Sequence, residues 1–110
     1  MINELDDRDA LDRILREPRA VIYKYSPICW KSGIASGQVE RFAADHQTPP
    51  IYRLDVLAHT DLSQRVASSL GVPHASPQAI LITDGEAVWS ASHLGVRARA
   101  LRRAVNQSEP

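Results

Sequence analysis

Apolar residues change their spacing repeatedly along the chain, and each change marks a boundary. Between Asp7 and Glu17, Ala10, Leu11, Ile14 and Leu15 recur at helical spacing among Asp and Arg, predicting an amphipathic helix that Pro18 ends. Ala20 to Tyr25 is a short, mostly apolar run rich in β-branched and aromatic side chains, the pattern of a buried strand, and Ser26-Pro27 breaks it. From Trp30 to about Asp45, Ala35, Val39, Phe42 and Ala43 fall at i, i+4, i+7 and i+8, one face of a helix that begins at Cys29 or just after it. Gly33 and Gly37 lie on consecutive turns of this helix, and each costs about 1 kcal/mol against alanine, which predicts a closely packed neighbour on their side.

After the breaker Gln47-Thr48-Pro49-Pro50, Ile51 to Val56 alternates as a second strand. Asp61 and Gln64 have the spacing of a capping box, Leu62, Val66 and Leu70 continue as a helical stripe, and Gly71 supplies the stop. A loop with two prolines, Gly71 to Gln78, leads into the apolar run Ala79-Ile80-Leu81-Ile82. Asp84-Gly85 is a strong hairpin signal, with Glu86 to Ser90 as the return strand. Val96, Ala100, Leu101, Ala104 and Val105 form the stripe of a closing helix, and the tail from Asn106 is expected to fray.

This order implies an α/β domain. The first two strands, joined through a helix, lie parallel by a right-handed crossover, and the last two are antiparallel neighbours. A four-stranded mixed sheet flanked by helices on both faces follows. The 110 residues suit a single domain spanning 1–110.

Composition narrows the partners. Thirteen acidic residues balance thirteen Lys and Arg, so no overall field draws nucleic acid or an anionic membrane. The local exception, Arg97, Arg99, Arg102 and Arg103, reads as the solvated face of the closing helix. Neither nucleic acid nor membrane is therefore expected as a partner. The N-terminus is acidic and lacks the basic flank and apolar core of a signal peptide, and no apolar run approaches the roughly 18 to 20 residues of a membrane span, so a cytoplasmic location is expected.

Candidate chemistry centres on Cys29, the only cysteine, placed where a strand hands over to a helix. Free N–H groups and the positive end of the helix favour a thiolate there, which makes Cys29 the expected nucleophile. Ser32, one turn on, has a hydroxyl that can donate to the thiolate or serve the helix terminus, but it cannot close a disulfide. Lys31 adds positive charge nearby and Trp30 an apolar contact. His74 and His93 are weaker candidates, and His59 and His46 weaker still. Their spacing with Cys29 fits no zinc motif, so no metal is expected.

The order of elements, with Cys29 after one strand and Pro77 before another, resembles the thioredoxin fold. Cys29-Trp30-Lys31-Ser32 matches the Cys-x-x-Cys of that family with serine in the second cysteine's place, as in its monothiol members. Ser76-Pro77 matches the family's cis proline. From Leu54-Asp55-Val56 through Gly71-Val72-Pro73-His74-Ala75-Ser76-Pro77-Gln78 to Ala91-Ser92-His93, the chain is similar to the monothiol bacilliredoxins, although Trp30 stands where that family usually has proline.

The resemblance implies a monothiol thiol–disulfide oxidoreductase with no bound cofactor. Cys29 would remove bacillithiol, or a similar low-molecular-weight thiol, from oxidised client proteins, and a recycling thiol or reductase would restore it. A cis Pro77 leaves the Ser76 backbone free to pair with an extended substrate, and Gln78 has two readings, reach to the bound group or plain entry to the strand. Trp30, Lys31, Ser32, Ser76, Pro77 and Gln78 are thus the implied substrate-binding set. Tyr23 occupies the position of the buried acid that serves the second cysteine in dithiol thioredoxins. Two rival readings are an iron–sulfur carrier of the monothiol glutaredoxin type and a non-catalytic thioredoxin-like binding module. Bulky Trp30, and the absence of the Gly-Gly that binds glutathione, weigh against the first.

Overall fold

The computed structural model describes residues 2–45 and 47–108. In chain order the elements are β1 (Ile2–Glu4), α1 (Arg8–Ile14), β2 (Arg19–Tyr25), α2 (Trp30–Ala43), β3 (Ile51–Asp55), α3 (Thr60–Leu70), β4 (Gln78–Thr83), β5 (Glu86–Ser92), a short 3-10 turn (His93–Gly95) and α4 (Ala98–Gln107). The strands form one sheet in the order β1-β3-β2-β4-β5. β1 and β2 run parallel to β3, whereas β4 is antiparallel to both β2 and β5.

The sheet has five strands, one more than the apolar pattern predicts. β1 is three residues of mixed polarity, too short to show a period, and it is held at the edge by register with β3, Ile2 opposite Ile51 and Glu4 opposite Arg53. Beyond it Leu5 is buried, which anchors the N-terminal segment from the core side.

β2 is the middle strand and separates two cores. Val21 and Tyr23 face α2 and α4, packing with Val39, Phe42 and Leu101; Ala20 and Ile22 face the other way, with Leu11, Ile14, Leu62 and Val66. Alternation along a strand produces this division, and both faces are covered by helix, so β2 and β4 read as nearly continuous apolar runs.

The turns follow the glycines. Asp84 (φ 50°) and Gly85 (φ 80°) make the left-handed hairpin turn, and a Cβ on Gly85 would lie 2.9 Å from the Leu15 carbonyl oxygen, so only glycine fits. Gly71, at φ 65°, ends α3. The β4–β5 register slips between Leu81, opposite Trp89, and Ile82, opposite Ala87, which leaves Val88 as a bulge.

Several expected boundaries move. α1 stops at Ile14, short of Glu17, and Asp7 caps it by accepting from the Ala10 N–H at 2.7 Å. α3 starts one residue before Asp61, with His59 in the cap position and no side-chain capping bond, so the Asp61–Gln64 capping box does not form. Nothing lies within 4 Å of a Cβ built on Gly33 or Gly37, so no close neighbour explains either glycine. α4 continues through Asn106 to Gln107, and the Arg19 guanidinium donates to the Val105 carbonyl at its end, which opposes fraying there. Ser108 closes the helix, and residues 109–110 lie outside the described residues. Among the described residues no helix is long and apolar enough to cross a membrane.

Candidate functional site

Cys29 occupies the N-cap of α2 with extended backbone (φ −100°, ψ 125°), and its own N–H donates to the Ser26 carbonyl at 3.2 Å. The segment Ser26-Pro27-Ile28 thus turns β2 directly into the helix. The sulfur belongs to a free, partly exposed thiol. As a neutral group it makes no capping hydrogen bond, but the backbone N–H of Ser32, and then that of Lys31, lies close enough to favour the thiolate. With the Lys31 ammonium and the Ser32 hydroxyl added, and only partial burial opposing them, these groups hold the Cys29 thiol below its ordinary range.

Ser32 is 2% exposed and does two things at once. Its Oγ accepts from the Ser26 N–H at 2.9 Å, which fixes the loop and leaves the hydroxyl proton for the sulfur. Behind it, the Tyr23 hydroxyl donates to the Ser32 carbonyl at 3.0 Å and pairs with Ser36 Oγ at 2.8 Å. Where the resemblance places an acid in dithiol relatives, this chain has a phenol that burial pushes above its ordinary value. It holds the first turn of α2 and has no charge to exchange near neutral pH.

The sheet brings Pro77 to the same end. β2 and β4 pair from Arg19 opposite Thr83 to Lys24 opposite Gln78, so Pro77 lies one residue beyond the ladder, level with the end of β2 from which Cys29 follows. The Ser76-Pro77 bond is cis. The Pro77 carbonyl accepts from the His93 N–H at 2.8 Å, and His93 stands at φ 56° as β5 enters the 3-10 turn, which packs against α2. His93 therefore belongs to this end of the sheet.

The other implied residues divide. Trp30 is 66% exposed with the Lys31 ammonium 5.7 Å from its ring centroid, and Ile28 and Ile34 are exposed beside it. Gln78 is buried at the start of β4, and its amide donates to the Pro73 carbonyl at 3.1 Å, as a strand-entry residue would. His74 turns Nδ1 inward, 3.1 Å from both Lys24 Nζ and Ser63 Oγ. His59 lines a groove of about 700 Å³ near the N-termini of α1 and α3, among Asp6, Asp7, Asp9 and Asp61, in which Cys29 takes no part. His46 lies outside the described residues.

Lys24 is not among the residues the sequence pattern singles out. It falls inside an apolar run, yet it is wholly buried, and its amine donates to the Ser63 carbonyl at 3.0 Å. A lysine inside an otherwise apolar central strand was the available signal.

A family model described as monothiol bacilliredoxin BrxC matches residues 3–101. The chain belongs to the monothiol bacilliredoxin family. A provisionally assigned oxidoreductase with a thioredoxin fold is similar at 28% identity and a TM-score of 0.88, covering 94% of this chain and 93% of that one. Thioredoxin from Malassezia sympodialis shares the fold at 15% identity (TM-score 0.79, 97% and 90% covered). A point-mutant thioredoxin from Halobacterium salinarum shares it at 24% (TM-score 0.74, 96% and 88%). Family and fold together make this a thioredoxin-like thiol oxidoreductase of monothiol type, and its single cysteine fits that description.

Proposed function

We propose that the protein removes bacillithiol, or a closely similar small thiol, from mixed disulfides on oxidised client proteins. The observation that carries this is Cys29 at the N-cap of α2, its thiolate favoured by the first-turn N–H groups, with Ser32 standing where a resolving cysteine would be. The Cys29 thiolate attacks the small-thiol sulfur of the mixed disulfide. The client–thiol S–S bond breaks, a Cys29–thiol S–S bond forms, and the client sulfur leaves as thiolate and takes a proton from water. No net oxidation occurs in this step. A second small thiol or a protein reductase then attacks the Cys29 mixed disulfide, frees Cys29 and leaves as the oxidised partner.

Other features support a protein client. Exposed Ile28, Trp30 and Ile34 flank Cys29, an apolar rim suited to a partly unfolded or extended chain. Ser76, just before the open end of β4, offers backbone groups for strand pairing, and Lys31 supplies charge to an anionic small thiol. Cytoplasmic action is part of the same proposal.

The test is a client protein carrying one bacillithiol mixed disulfide, incubated with the protein or with Cys29→Ala. Release of the small thiol is expected only with the intact cysteine, accompanied by a mass adduct on Cys29. Equal release by both proteins would overturn the reading.

A further inference from the structure

Lys24 is the one lysine in the described core, at 0% exposed, and no carboxylate among the described residues pairs with it. The groups facing it come from every element packed there: the Ser63 carbonyl and hydroxyl of α3, His74 Nδ1 of the loop, and, by register, Gln78 of β4 and Leu54 of β3. None of these is anionic. An ammonium buried without a counter-ion opposes stability, and an apolar residue of similar length would fill the site at lower cost. The chain nevertheless keeps it.

What it holds is specific. The ammonium has protons and no lone pair, so at Nδ1 of His74 it acts as donor and the ring nitrogen must accept. The ring's own proton then resides on Nε2. Lowering of the His74 pKa, by burial first and by the Lys24 charge second, agrees with an imidazole kept neutral. Gln78, the cross-strand partner of Lys24, ties Pro73 from the same face. Two neighbouring buried side chains therefore grip residues 73 and 74, and Ser76 and Pro77 follow immediately.

We propose that Lys24 is a positioning residue for thiol exchange at Cys29: from the middle strand it fixes His74 in the neutral Nε2–H form and so holds the loop presenting the Ser76–Pro77 edge to the disulfide. This rests on the reading of Cys29 as nucleophile. Lys24 touches neither substrate nor sulfur. Its effect reaches the reaction through the loop, so it falls on the reception of the client and leaves the intrinsic reactivity of the thiol unchanged.

The experiment compares the intact protein, Lys24→Met and His74→Ala in release of bacillithiol from a mixed-disulfide client, with Cys29→Ser as the control for the nucleophile. Met matches lysine in length and removes the buried ammonium, and His74 is exposed, so the second variant does not disturb the core. Both variants are expected to lose about tenfold or more in kcat/KM, mainly through KM, while alkylation of Cys29 by iodoacetamide keeps its rate. Imidazole nitrogen NMR supplies a readout that simple loss of packing would not move. Nδ1 of His74 should be unprotonated in the intact protein, and in Lys24→Met the ring should populate both tautomers and titrate at higher pH. Unchanged kcat/KM in Lys24→Met, or an unchanged tautomer, overturns the inference while leaving the nucleophile in place. A Cys29→Ser protein as active as the intact one overturns the reading beneath it.

Discussion

Tyr23 and Lys24 are adjacent in β2, both buried and both polar-tipped, yet they point into different cores and serve the same end of the sheet. Tyr23 reaches under α2 and holds the turn that carries Cys29 and Ser32; Lys24 reaches under α3 and holds the loop that carries Pro77. The first is a neutral group with its hydrogen bonds satisfied near the surface of a helix. The second is a buried charge with no carboxylate beside it among the described residues. Consecutive residues of one strand thus hold the Cys29 turn and the Pro77 loop by chemically different means, so their replacements should fail differently.

The largest difference should appear on replacing Lys24. An unfolded lysine keeps its proton up to about 10.5, whereas burial lowers the folded value to about 8. Between those pH values the unfolded chain binds the extra proton, so stability rises with pH across that window and the burial cost is fully present below about 8. Lys24→Met should therefore be more stable than the intact protein at pH 7, by about 1 to 4 kcal/mol, with the gain shrinking as pH rises toward 10. Urea denaturation at several pH values checks this. A pH-independent difference would remove the charge from the account.

On the other side of β2, Ser32→Ala should cost about 1 to 3 kcal/mol, because the Ser26 N–H loses its acceptor. It should also move the alkylation profile of Cys29 to higher pH, since the hydroxyl no longer favours the thiolate. Tyr23→Phe should be milder, about 1 kcal/mol in stability, because it removes one hydroxyl and leaves the ring packed. Unlike Lys24→Met, its effect should not change between pH 7 and 9. The smallest effect belongs to Gly37→Ala on the open side of α2. It should stabilise by about 0.5 to 1 kcal/mol, since a Cβ there meets nothing within 4 Å and the helix gains a better former. Loss of client turnover in that variant, with stability raised, would show that the bare helix face is occupied during the reaction.

Much of this arrangement is legible along the chain because it is carried by local chemistry. Alternation in Ile51–Asp55, the Asp84-Gly85 turn, the Gly71 stop and the hand-over at Cys29 all depend on neighbours a few residues apart. The misses are of another kind. β1 exists only through its register with β3, about fifty residues later, and its three residues have no pattern of their own. The Asp61–Gln64 spacing is present, but α3 begins a residue earlier, after the Asp55 side chain has organised the turn by accepting from the Leu57 and Ala58 N–H groups. Gly33 and Gly37 imply a neighbour that the packing does not supply. Lys24 and His74 meet only because α3 and the loop before β4 fold over the same end of β2, a contact across fifty positions.

The outer strands also bear on how the protein meets other chains. β1 is very short and carries the Glu4–Arg53 ion pair at its border, and β5 is interrupted by the Val88 bulge, with its side chains alternately turned to water. Neither margin offers a long, flat row of unpaired backbone groups to another chain. The exposed apolar residues beside Cys29 can thus meet another chain without the sheet becoming a template for its aggregation.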